Sequence, residues 1–189
     1  APNTPDYLLG RTTTYFANCD MWEVSEQSIA LHLASLMNNL KSPFHEMHYM
    51  ALACMLMPKI KTVQDYAFAI WSERIASNQL DAIRLGKAIG KVEHLETFPL
   101  KRLTDLISEY MIGISPQHNN ALVEMIQAIL IELPEKPLKN QKKLLELYYE
   151  LLAQTQLKPD IKNIPHWDKW ATEGSLKKVI EQINGLQHL

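Results

Sequence analysis

The chain has little cysteine and no long apolar run, and each shortage removes a class of protein. Its two cysteines, Cys19 and Cys54, are too few for a disulfide framework, and they do not form a C-x-x-C pair. No apolar stretch is long enough to cross a bilayer, and the sequence does not open with a signal peptide. We therefore expect a protein without a membrane segment, located in the cytoplasm.

An excess of charge of either sign is also missing. The 19 Lys and Arg residues nearly balance the 21 Asp and Glu residues, which gives a formal net charge of −2. The few arginines are scattered along the sequence: Arg11, Arg74, Arg84 and Arg102. Since nucleic-acid-binding domains usually carry a basic face, this balance gives no reason to expect a nucleic-acid partner.

The known catalytic signatures are missing too. Neither G-x-S-x-G nor G-x-G-x-x-G occurs, and the glycine-lysine run from Gly86 to Lys91 is one residue short of a phosphate loop. His45 and His48 stand three residues apart, whereas zinc proteases space two histidines by four on one helix face. We predict no catalytic residues, no cofactor and no metal site, although a ligand at His45 and His48 stays open. We expect a protein that is not an enzyme.

What the sequence does contain is a regular series of helix signals. Leu, Ala, Lys and Glu are frequent, and Ser-Pro or Thr capping signals precede several apolar stripes at helical spacing. In the central part, first helices of successive pairs begin near 43, 79 and 116, and second helices near 63, 99 and 137. The two series share a step of 36 to 38 residues, which is typical of a repeat of two helices.

These signals predict an all-α fold of stacked antiparallel helix hairpins. We expect about three repeats with flanking helices, an irregular lead-in over 1–24 and a single helical-repeat domain over 25–189. Gly86 and Gly90 lie four apart in one predicted helix, so they would also allow a second helix to approach closely. The later helices are predicted at 79–92, 99–112, 116–132, 137–154 and 175–184, with a short turn at 165–171.

The helix-pair period and the Ser-Pro helix openers resemble those of HEAT and armadillo repeat proteins over residues 26–154. The end of the chain is similar to the C-terminal helical part of an uncharacterised family of large bacterial HEAT-like proteins. This resemblance implies a scaffold that binds other molecules and carries no transferable catalytic residue. Because one bacterial family of DNA glycosylases also uses a HEAT-like solenoid, the alternative is a DNA-acting enzyme.

Aromatic residues near both ends are the first candidates for partner binding. Tyr15 and Trp22 lie in the lead-in, and Trp167 and Trp170 lie three residues apart near the end of the chain. They would either seal the ends of the core or anchor a partner, since Trp and Tyr are favoured at binding hot spots.

A run of lysines is the second candidate. Lys139, Lys142 and Lys143 fall in the first turns of a predicted helix that follows Lys136-Pro137. Such a run is either a solvated face or a surface for an acidic peptide or a phosphate backbone. Glu132, Glu135 and Glu146 lie close enough in sequence to neutralise it. With the fold, these candidates predict a scaffold that binds a protein or peptide.

Overall fold

The computed structural model describes residues 79–90, 100–110 and 115–188. These ranges are mostly helical and contain no β-strand, which confirms the all-α prediction for the part described. No helix within them is both long and apolar enough to cross a bilayer. The helices are α1 (Gln79–Gly90), α2 (Leu100–Tyr110), α3 (Pro116–Glu132), α4 (Gln141–Gln154), α5 (Trp167–Trp170) and α6 (Lys177–Gly185), with 3-10 turns at Ile161–Asn163 and Leu186–His188.

Several predictions concern residues outside these ranges. The lead-in over 1–24, the first predicted helices and the pair of His45 and His48 all lie outside the described residues.

Helix α3 lies at the centre of the described helices. It begins where the sequence predicts, because Ser115 Oγ accepts the backbone N–H of His118 at 3.0 Å and Pro116 occupies the first helical position. Six consecutive residues, from Met125 to Leu130, are buried, so this part of the helix is covered on all sides. A helix covered in this way needs a neighbour on each face. Two of these neighbours are α1 and α4.

The contact between α1 and α3 depends on two glycines. A Cβ at Gly86 would collide with the Met125 carbonyl oxygen and would lie 2.7 Å from Ala128 Cβ. A Cβ at Gly90 would collide with Glu132 Cβ and would lie 2.8 Å from Glu132 Cγ. The absence of both side chains lets the two helix backbones approach closely, which confirms that this glycine pair is a packing contact.

Helix α4 starts later than the sequence predicts. The predicted start at Lys136-Pro137 is wrong, because the helix begins at Gln141 and the preceding residues form a turn. Pro137 suits a turn as well as a first helical position, so proline alone does not distinguish the two. Asn140 ends the turn in the left-handed conformation (φ 66°), which asparagine tolerates better than most side chains.

The segment after α4 folds back onto the bundle. Helix α6 packs on α4, and α4 also packs on α2 and α3. Tyr148 of α4 donates its hydroxyl proton to Gln127 Oε1 of α3, and Gln127 Nε2 donates to the Asp160 carbonyl oxygen at 2.6 Å. Burial raises the pKa of the Tyr148 phenol above its ordinary range, so the hydroxyl keeps its proton and stays a donor. This chain of hydrogen bonds ties α3, α4 and the following loop together.

The glycine contact predicts that Gly86→Ala destabilises the fold. In an isolated helix alanine is preferred over glycine by about 1 kcal/mol, but overpacking a tight contact costs about 1–3 kcal/mol. We expect the free energy of unfolding to fall by about 1–2 kcal/mol, measured by urea denaturation followed by circular dichroism.

Gly185→Ala is the matched control for that substitution. A Cβ at Gly185 would meet nothing within 4 Å, and this glycine also belongs to a helix. We expect no loss of stability, or a gain of about 0.4–1 kcal/mol. Equal effects at Gly86 and Gly185 would show that the close approach of α1 and α3 is not what requires glycine.

Candidate functional site

The aromatic candidates fall into two groups. Tyr15 and Trp22 lie outside the described residues. Trp167 and Trp170 are buried in the core, at 3% and 0% exposure, and their rings meet edge to face at a centroid distance of 6.4 Å. Trp167 Nε1 donates to Asn184 Oδ1 at 2.9 Å, and Trp170 Nε1 donates to the Glu135 carbonyl oxygen at 2.9 Å. Packing therefore accounts for both tryptophans, and a role for them in partner binding stays a prediction.

The lysine candidates lie together in one cavity. Lys139, Lys142 and Lys143 are exposed and line a cavity of about 490 Å³. One wall is the turn that precedes α4 together with the first turn of that helix, residues 136–143. The other wall comes from Glu173, Ser175 and Leu176, just before α6. We call this cavity the basic groove. The fold thus brings the three predicted lysines to a single concave surface and adds Lys136 to them.

Two of the three carboxylates that lie near these lysines in sequence form ion pairs. Glu146 reaches only Lys142, at 3.8 Å, and both side chains are more than half exposed, so the pair is weak. Glu135 pairs instead with Lys169 at 2.8 Å. Within the described ranges Lys136, Lys139 and Lys143 form no ion pair. On the described lining of the basic groove, four lysines thus outnumber one carboxylate, that of Glu173.

Gln141 is a buried polar residue on the lining of the basic groove, and the sequence did not predict it. This first residue of α4 lines the groove and is 1% exposed. Its Oε1 accepts the backbone N–H of Leu138 at 3.0 Å, which identifies the other amide atom as the nitrogen. Among the described residues Gln141 Nε2 has no hydrogen-bond partner. A buried amide nitrogen without an acceptor is uncommon, because it loses water without gaining a replacement.

The start of α4 adds backbone polarity at the same place. Its first turn contains no acidic residue, and the Asn140 side chain makes no capping hydrogen bond. A helix N-terminus carries partial positive charge and backbone N–H groups that face outward. The basic groove thus combines ammonium groups with a helix N-terminus, both of which attract an anion.

A second depression adjoins the basic groove. It has a volume of about 440 Å³ and shares Lys136 and Glu173 with the groove. The ion pair between Lys169 and Glu135 lies on its lining. A hydrogen bond and the positive charge of Lys169 lower the pKa of the Glu135 carboxyl, so this pair stays charged at neutral pH. The two depressions together form an extended surface with lysines at one end and mixed charges at the other.

One buried titratable group lies away from the groove. His118, in the first turn of α3, is 0% exposed, and within the described residues neither ring nitrogen has a hydrogen-bond partner. No group of three His, Cys, Asp or Glu side chains among the described residues could hold a metal ion. We therefore treat His118 as a core residue that affects stability.

One family model matches residues 1–185 of the chain, and that family is described as a domain of unknown function, DUF7825. No similar protein was found among curated sequences, and no similar chain among solved structures.

The burial of His118 predicts that the fold loses stability in mild acid. Burial lowers the pKa of this imidazole from 6.5, so the unfolded chain takes up its proton at a higher pH than the folded chain does. The stability is full above pH 6.5 and is lost as the pH falls from there toward the folded pKa. Urea denaturation one pH unit above and one below 6.5 measures the loss.

His118→Leu should reduce this pH dependence, because leucine cannot titrate. His166→Asn is the matched control, since His166 is only half-buried, and it should keep the dependence. An unchanged pH dependence in His118→Leu would assign the acid sensitivity to other groups.

Proposed function

We propose that this chain, which belongs to the DUF7825 family, is a non-catalytic helical-repeat domain that binds an acidic segment of a protein partner. The observation that carries the proposal is the basic groove, where four lysines line one cavity and only Lys142 is paired with a carboxylate among the described residues.

The packing of the described helices supports a repeat architecture. Helix α1 packs on α3, α2 packs on α4, and α3 packs on α4. In a solenoid of helix hairpins, the first helix of one hairpin contacts the first helix of the next, and second helices do the same. The starts of α1 and α3, at 79 and 116, lie 37 residues apart, and those of α2 and α4, at 100 and 141, lie 41 apart. The proposed unit is thus a HEAT-like hairpin whose length varies by a few residues.

The shape and charge of the groove favour an extended acidic segment as the ligand. A volume of about 490 Å³ is in the usual range for binding sites, and the adjoining depression lengthens the surface. Exposed lysines that keep their charge attract carboxylates or phosphates and speed up encounter with an acidic partner. Glu173 on the opposite wall would repel a uniformly negative chain and would favour a segment with its charge concentrated at one point.

Substitution of Lys139, Lys142 and Lys143 together by alanine tests the proposal. Three charges at a partly exposed interface, each worth about 0.2–1 kcal/mol, should weaken binding roughly tenfold. The readout is affinity capture from a lysate of the source organism, split into nuclease-treated and untreated halves and identified by mass spectrometry. We expect discrete acidic proteins that the wild type retains in both halves and the triple variant loses.

A matched variant controls for net charge. Lys87, Lys162 and Lys178 are exposed lysines that line neither depression, and their replacement by alanine removes the same charge. This variant should retain the partners. Equal losses in the two variants would contradict a role for the groove. Recovery of nucleic acid, or of proteins that disappear after nuclease treatment, would instead favour the DNA-acting alternative.

A further inference from the structure

We propose that Asn184, at the C-terminal end of α6, is a site of spontaneous deamidation and that the opening of this helix end controls the reaction. Asn184 is the only asparagine in the sequence that is followed by glycine. Because Gly185 has no Cβ, its backbone nitrogen can approach the side chain of the preceding residue with little steric hindrance. None of the residues that line the basic groove takes part, so the site does not depend on the proposed function.

The reaction needs no enzyme and consumes only water. The backbone nitrogen of Gly185 loses its proton to a base in solution and attacks the side-chain Cγ of Asn184. The new N–C bond closes a succinimide ring, and the side-chain nitrogen takes up a proton and leaves as ammonia. Water then opens the ring at either carbonyl. Opening on one side gives aspartate. Opening on the other side gives isoaspartate, in which the main chain is longer by a methylene group.

The folded geometry holds this reaction back in two ways. Gly185 is the last residue of α6, and helical backbone directs its N–H groups along the axis, away from the side chain of the preceding residue. The side-chain oxygen of Asn184 also accepts a hydrogen bond from Trp167 Nε1 at 2.9 Å, and Trp167 is only 3% exposed. The attack therefore requires that the end of α6 loses its helical conformation and that Asn184 leaves Trp167.

This opening concerns a part of the helix with little cover. Ile183 is fully buried, whereas Asn184 is half-buried and Gly185 is exposed. A Cβ at Gly185 would meet nothing within 4 Å, so the space beside it is open. Helix ends and other weakly covered segments open locally at a much lower free energy than the core does. Asn184 is thus protected only as far as the last turn of α6 stays closed.

Either product would weaken the docking of α6. Both place a carboxylate at the C-terminal end of the helix, where the helix dipole disfavours negative charge. The added methylene group of isoaspartate would also displace Leu186, which packs against the core. Since α6 packs on α4, these changes act on a contact that holds the C-terminal segment in place. Deamidation would thereby favour the open form from which it arises.

The test incubates the full chain in mildly alkaline buffer, in parallel with a sample unfolded in urea. Peptide mass spectrometry follows each asparagine, and electron-transfer fragmentation identifies isoaspartate. We expect deamidation at Asn184 in both samples, slower in the folded chain, and no measurable product at Asn140 or Asn163, which precede larger residues. The slowing should be at least as large as the protection of the Gly185 amide against hydrogen exchange, because both reactions need the helix end to open.

Trp167→Phe removes the indole donor and keeps an aromatic ring. It should raise the rate at Asn184 in the folded chain by about 2–10-fold, the factor that corresponds to one lost hydrogen bond, and leave the rate in urea unchanged.

Gly185→Ala should abolish the product in both samples, because the added Cβ hinders the attack although the fold has room for it. Gly174→Ala is the matched control. Its surroundings are equally open, and it should leave the rate at Asn184 unchanged.

Each part of the proposal has an outcome that contradicts it. Equal rates in the folded and unfolded samples would overturn control by the opening of α6. A Trp167→Phe variant that folds, as verified by circular dichroism, and deamidates at the wild-type rate would overturn the role of the indole. Absence of product at Asn184 in the folded chain, while hydrogen exchange shows that the end of α6 opens, would overturn the site itself. This last comparison needs no substitution, so it decides the question even if Trp167→Phe does not fold.

Discussion

The close approach of α1 to α3 is the constraint on which the described packing depends. Gly86 and Gly90 bring the backbone of α1 against the backbone at Met125 and against Glu132, closer than any side chain would permit. Helix α1 covers one face of α3 at this short distance, and α4 covers another face. Tight backbone contacts lose their packing energy quickly with distance, because dispersion forces act over a short range. The glycine contact therefore restricts the position of α3 relative to α1 more than the packing of leucine side chains alone would.

A few polar contacts then position the C-terminal segment on this helical base. Tyr148, Gln127 and the Asp160 carbonyl form a buried chain of hydrogen bonds, and Trp170 Nε1 reaches back to the Glu135 carbonyl. Each contact joins residues at least 21 positions apart in sequence. A buried donor that loses its acceptor is costly, so these contacts favour one arrangement of the segment over other apolar packings. That arrangement brings Glu173 to Leu176 opposite the lysines of α4.

Features encoded by local sequence signals could be predicted, whereas features that depend on contacts between residues distant in sequence were missed. Ser115-Pro116 located the start of α3, and the spacing of Gly86 and Gly90 indicated a close helix contact, because capping and small-residue spacing act within one helix. The lysines of the groove were predicted, whereas Gln141 and Glu173 were not. The unexpected turn before α4 places Gln141 at the groove, and the folding back of the last segment places Glu173 there. The misplaced start of α4 has a local cause instead, since Pro137 fits a turn and a helix equally well.

The two walls of the basic groove come from segments about 30 residues apart that meet only when the C-terminal segment is docked. The groove is therefore a property of the docked state, and its occupancy is linked thermodynamically to docking. A ligand that bridges the walls would stabilise the docked position of α6 and slow amide hydrogen exchange there. By thermodynamic reciprocity, docking of α6 would strengthen the binding of that ligand by the same free energy. The buried indole of Trp170, which helps to dock this segment, would thus contribute to the affinity of the proposed ligand through the population of the state that has a groove.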